Sequence, residues 1–129
     1  MYRRDVSESA VRRGRTQGAI VYEYQATVTE VYDGDTITVD IDCGFGIWLR
    51  DQKIRLYGID TPEMRGPEKE KGKQVRDWLR ARILNEEITL ITKKDSKGKY
   101  GRWLGVVFHR SRNINLALID NGMAEVYEP

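Results

Sequence analysis

Histidine and cysteine are nearly missing from this chain: of 129 residues, one is His109 and one is Cys43. A lone cysteine forms no internal disulfide and anchors no zinc cluster, so Cys43 reads as a structural thiol beside a glycine turn. A lone histidine leaves little from which to build a histidine pair, a histidine-rich metal centre or a Ser-His-Asp relay, and His109 is expected to be a surface residue at a strand end. No Walker-type or dinucleotide-binding glycine pattern occurs, so nucleotide hydrolysis and hydride transfer have no support. There is no run of about 18 or more apolar residues to span a membrane and no apolar leader near the start. As given, the chain is expected to be cytoplasmic, with secretion left open, and to have no membrane partner. Its length suits one domain with one core, expected to be monomeric.

Carboxylates and basic groups are what remain in quantity. The 22 lysines and arginines nearly balance the 20 aspartates and glutamates, but Arg3, Arg4, Arg12, Arg13 and Arg15 crowd the first fifteen residues. Residues 1–19 are therefore expected to be a disordered basic arm, able to lean on phosphates, followed by one folded unit over 20–129. Within it, 20–32, 36–41 and 47–59 read as three consecutive strands. The segment 66–84 reads as an amphipathic helix, with Val75, Trp78, Leu79 and Ile83 on one face and Gly72 weakening its first half. Residues 88–92 and 103–109 read as two more strands. A last helix over 113–126 has Asn113 as N-cap and Asn121–Gly122 as a stop signal. Five short strands with a helix between the third and fourth is the layout of an OB-fold barrel: an α+β domain, mainly β, with two to three helices.

The pentapeptide "YDGDT" at 32–36 poses the sharpest question. Asp-Gly is a strong hairpin signal, yet side chains alternate along a strand, and Asp35 falls in step with Ile37, Val39 and Ile41. A carboxylate on the buried side of a strand needs a partner. Two more segments carry charge at strand ends. "IRLYGIDTPE" holds Arg55, Asp60 and Glu63, and "KYGR" ends on Arg102. Each has a plain reading: Asp60 to Glu63 as a helix start with a capping box, "KYGR" as a turn, Arg55 as a surface residue. Together, they lie at strand ends that a small barrel can bring to one rim.

As a set, "DGDT", an arginine ahead of "DTPE", and "YGR" resemble the staphylococcal nuclease (thermonuclease) family, over about residues 22–129 and in the family's order. "INLALIDNGMAEV" resembles its closing helix. The resemblance implies an OB-fold enzyme cleaving DNA and RNA phosphodiesters with calcium (Ca2+) and leaving 3′-phosphate ends. It also implies that Asp35, Asp60 and the Thr61 carbonyl are metal ligands and that Glu63 orients or deprotonates the attacking water. Arg55 and Arg102 would grip the phosphate, with Lys99 and Tyr100 beside the nucleotide. Tyr127 is either a stacking face for a base or a packing residue of the tail. The chemistry is self-consistent, because hard oxygen donors suit calcium and arginine's fork matches phosphate oxygens at any ordinary pH.

This chain also departs from the family pattern. The loop after Glu63 is shorter than in the type member, Gly98 replaces an acidic residue, and the closing "AEVYEP" lacks one residue and one tyrosine. Two other readings stay open at this point. One is a catalytically inactive OB-fold module binding nucleic acid or a protein partner; the other is a structural barrel whose acidic turn is only a turn.

Overall fold

Alternation in the first two strands builds the core directly. In the computed structural model, which describes residues 22–94 and 102–127, β1 (Glu23–Asp33) and β2 (Thr36–Asp42) form an antiparallel hairpin. Ile37, Val39 and Ile41 point inward, while Thr36, Thr38 and Asp40 are half-buried on the other face. The inward parity expected for Asp35 holds: it is 9% exposed. The basic arm over 1–19 and the loop with Lys99 and Tyr100 lie outside the described residues.

β3 (Trp48–Leu56) pairs antiparallel with β2. β5 (Glu87–Lys94) pairs antiparallel with β1, and β6 (Trp103–His109) antiparallel with β5. A short parallel pairing of β3 with β6, from Ile54–Trp103 to Leu56–Gly105, closes the five strands into a barrel. Closure removes the sheet edges, and register irregularities in the β1–β2 pairing supply the bending that closure requires. Val28, Val39, Ile54, Leu90 and Val107 fill the interior without solvent exposure. This is the OB-fold expected from the order of elements.

The third strand differs from its expected span. It stops at Leu56, turns at Tyr57–Gly58, and resumes as the two-residue β4 (Ile59–Asp60). Gly58 takes a φ of +78°, open to glycine at little steric cost, and the turn swings Asp60 out of the barrel sheet. β4 pairs instead with β8 (Glu125–Val126). The final helix is correspondingly shorter than expected. α2 (Ile114–Asp120) is capped by Asn113, whose side-chain oxygen accepts from the Leu116 N–H at 3.0 Å, and ends at Asn121–Gly122. β7 (Arg112–Asn113) is a two-residue strand beside β6.

After a 3-10 turn at Gly66–Glu68, α1 (Lys69–Ile83) lies against the barrel. It buries Val75, Leu79 and Ile83 as its periodicity requires, and also Gly72. Its far end is stitched to the bulged part of β1, where the Asn85 N–H donates to Val28 O at 2.7 Å and the Val28 N–H to Glu86 O at 3.0 Å. His109 does end a strand, but it is no free surface residue. Its side chain is 15% exposed, with Nε2 3.1 Å from Glu86 Oε1. Cys43 packs against the core edge, as a structural thiol would.

Candidate active site

The β1–β2 turn delivers Asp35 to one end of the barrel, where it meets the end of β3. Asp35 Oδ2 lies 3.2 Å from Arg55 Nη1, and Asp60 Oδ1 lies 3.6 Å from Arg55 Nη2. One guanidinium is thus shared by two carboxylates from separate segments. The two are not equivalent. The Asp35 side chain is 12% exposed and that of Asp60 56%. Burial makes the first contact electrostatically stronger, whereas solvent screens the second.

Asp35 has further partners. Its Oδ1 accepts from Thr36 Oγ1 at 3.2 Å and its Oδ2 from the Thr61 N–H at 3.3 Å. The second bond ties the hairpin turn to the segment after β4. Asp33 shapes the turn, its Oδ1 accepting from the Asp35 N–H at 3.0 Å. Burial, aided by the adjacent Asp35 charge, pushes the Asp33 carboxyl up to about 6.

Arg55 is held but not saturated. Its Nη2 donates to Ile59 O at 3.3 Å, and its carbon lies 5.5 Å from the Tyr127 ring centroid, over the face of the ring. Nη1 is buried and, despite its ion pair, has no hydrogen-bond acceptor among the described residues. The pairing with Asp35 is therefore Coulombic rather than an aligned hydrogen bond.

Asp35, Arg55, Asp60, Thr61, Glu63 and Arg102 all line one cleft of about 360 Å³. The three charged segments of the sequence do converge on one rim. Asp60 to Glu63 is not a helix start: Asp60 sits in β4, and the helical region begins only at Gly66. Tyr127 stands at the same rim, its N–H donating to Gly58 O at 2.8 Å. Of the residues singled out in sequence, only Lys99 and Tyr100 have no place here, since they fall outside the described residues.

Asn115 supports the site without a clear signal in the sequence, and Gly34 and Gly72, legible there as turn former and helix weakener, support it through close packing. Asn115, 4% exposed, accepts from the Val107 N–H at 3.0 Å and donates to Tyr57 O at 2.9 Å and Gly105 O at 3.1 Å. It fastens α2 and β6 to the turn that aims Asp60. Its only sequence signal is a polar residue amid the apolar run "INLAL". Gly34 packs so closely that a Cβ there would lie 2.5 Å from Val75 Cγ1 and 2.9 Å from Thr61 Oγ1. Gly72 is the third, and its contact is with Glu63.

The donor set fits a hard divalent cation. Asp35 and Asp60 already converge on a single positive group, and hard oxygens are what calcium or magnesium prefer. No trio of histidine, cysteine or acidic side chains gathers at one point among the described residues. The protein's share of a coordination shell would be small, with backbone oxygen and water completing it, which calcium tolerates.

Fold and cleft together define an OB-fold domain with a carboxylate–arginine site at the barrel rim. Comparison with known proteins makes the class specific. Residues 53–129 match the family model described as staphylococcal nuclease homologue. The chain is 33% identical over 100 residues to the thermonuclease of Staphylococcus intermedius, covering 75% of this chain and 56% of that protein. It is 34% identical over 107 residues to the thermonuclease of Staphylococcus hyicus, covering 79% and 60%. Endonuclease YhcR of Bacillus subtilis is 34% identical over 115 residues, or 81% of this chain and 9% of that protein. The chain spans less than two thirds of the length of these relatives. It belongs to the staphylococcal nuclease family.

Proposed function

We propose that this domain is a calcium-dependent, sugar-nonspecific nuclease that hydrolyses DNA and RNA phosphodiesters and leaves 3′-phosphate ends. The observation that carries the reading is the convergence of Asp35, Asp60, Glu63, Arg55 and Arg102 on one cleft. The names of the matched thermonucleases and endonuclease support it.

A phosphodiester is an anion that repels hydroxide. Asp35, Asp60 and the Thr61 carbonyl would hold the cation, which supplies charge compensation and orientation for the attacking water. Glu63, exposed at the cleft edge, accepts a proton from that water. The new P–O bond forms as the bond to the 5′-oxygen breaks; the departing oxygen takes up a proton, and the other fragment keeps the 3′-phosphate. Arg55 and Arg102 donate to the phosphoryl oxygens as charge builds in the transition state. Donors so placed are worth about 3 to 4 kcal/mol each, or roughly 10² to 10³ in rate. Tyr127 offers a ring on which a base can stack, a contact worth about 1 to 3 kcal/mol.

Digestion of single-stranded DNA and of RNA, with calcium or with EGTA, tests the proposal. Cleavage is expected only with calcium, with fragments ending in 3′-phosphate. Binding without products under either condition would instead support the non-catalytic module.

A further inference from the structure

Gly72 lies in the interior of α1, is buried, and is among the poorest of helix formers there. Its surroundings explain it. A Cβ built on Gly72 would overlap the Glu63 carbonyl oxygen and come within 2.7 Å of the Glu63 carbonyl carbon and 3.0 Å of Pro62 O. The obstacle is backbone rather than a flexible side-chain tip, so a substituted residue must push the Pro62–Glu63 segment away from the helix. The other side of the same residue is held as well, because the Glu63 N–H donates to Glu68 Oε1 at 3.2 Å. Glu68, just ahead of α1, makes no capping bond to the helix; its carboxylate serves Glu63 instead.

A third contact extends the arrangement. Val75, one helical turn beyond Gly72 on the same face, packs on Gly34 of the acidic turn, where Thr61 also sits. The first two turns of α1 therefore touch both segments that carry the cleft carboxylates.

We propose that Gly72 and Glu68 form a clamp that positions Glu63, so that the short loop of this chain presents its carboxylate in a fixed place. The inference rests on the role given to Glu63 above. Gly72 and Glu68 are positioning residues. They act through Glu63, by setting its backbone.

The test combines Gly72→Ala and Glu68→Ala, each made in the parent chain and in a Glu63→Gln background. Turnover is measured on single-stranded DNA with calcium, and exchange of the Glu63 amide hydrogen by NMR. Gly72→Ala is expected to lower kcat about 10²-fold, the scale of a misplacement of about 1 Å, with KM little changed. In the Glu63→Gln background the same substitution is expected to cause no further fall. Glu68→Ala, at an exposed position that does not threaten folding, is expected to lower kcat less and to abolish protection of the Glu63 amide.

Unchanged kcat in Gly72→Ala, or an equal fall in both backgrounds, overturns the clamp. Should the parent chain cleave nothing, the nuclease proposal falls and the exchange measurement alone decides. Loss of Glu63 amide protection in both variants upholds the clamp; protection equal to the parent's overturns it.

Discussion

Replacing Arg55 by methionine separates the contact the guanidinium makes with the two carboxylates from the grip on phosphate proposed for it. In the folded chain, Asp35 is nearly buried and faces Arg55 at 3.2 Å. Removing one partner of a buried pair costs about 3 to 5 kcal/mol. The low end applies here, because Asp35 keeps its bonds from Thr36 and Thr61 and the contact to exposed Asp60 adds about 0 to 1 kcal/mol. A loss of about 3 kcal/mol, at roughly 4 °C per kcal/mol for a domain of this size, lowers Tm by about 12 °C in EGTA. If the proposed calcium site holds, calcium is expected to reverse much of this in the variant by replacing the missing positive charge. If it replaces all of it, the variant binds calcium about 10²-fold more tightly than the parent, since each factor of ten is 1.4 kcal/mol. Turnover nevertheless falls by about 10² to 10³, the value of one electrostatic donor. The assay is thermal unfolding and calcium titration of both proteins, alongside digestion of single-stranded DNA. A Tm difference that is the same in calcium and in EGTA would refute the reasoning, because it would mean that guanidinium and cation do not share the carboxylates.

Glu63→Gln is expected to leave Tm within about 1 °C, since the side chain is exposed, while kcat falls about 10² to 10⁴, the range for a general base; melting curves and digestion rates check both. Asn115→Ala takes the side-chain partner from the Val107 N–H and the Tyr57 carbonyl, each buried loss costing about 1 to 3 kcal/mol, while Gly105 O keeps the Tyr57 N–H at 2.8 Å. A fall of at least about 2 kcal/mol in urea unfolding is expected. The Asp40 carboxylate is held below its usual range, chiefly by the Asp51 N–H and then by Arg50. A depressed folded-state pKa stabilises above the unfolded value of 3.8 and is lost as pH falls through the folded value. Asp40→Asn is therefore expected to lower Tm at pH 7, with the difference closing below about pH 3.8.

Much of the barrel could be read from sequence because its strands obey a period of two, and a one-residue slip would expose the whole core. Asp35 is the clearest case, its burial following from its step with Ile37 and Val39. The third strand reads past its end because Ile54, Leu56, Tyr57 and Ile59 carry a strand-like apolar pattern across the turn, and pattern alone does not reveal that Gly58 takes a positive φ. The plain reading of Asp60 as a helix cap failed for a related reason. Its strand partner, Glu125, lies 65 positions further on, and no local rule sees such a pairing. Gly72 was noticed but read as a weakness, because helix propensity counts the cost of a glycine and is blind to what another segment places against it.

Such long-range contacts give the cleft its logic. Asp35 and Asp60 would repel one another if brought together bare, and the chain offsets this with one arginine between them and a threonine amide on Asp35. Asp33, its carboxyl pushed up to about 6 first by burial and then by the Asp35 charge beside it, shows the cost of holding carboxylates in this turn. The same guanidinium that faces both carboxylates keeps a buried Nη1 without a hydrogen-bond acceptor among the described residues. A divalent cation taking over the carboxylates would free that guanidinium for phosphate. On the proposed function, stability without the cation and readiness for substrate would both rest on one side chain, with the apolar barrel core supplying the rigidity that keeps the segments in register.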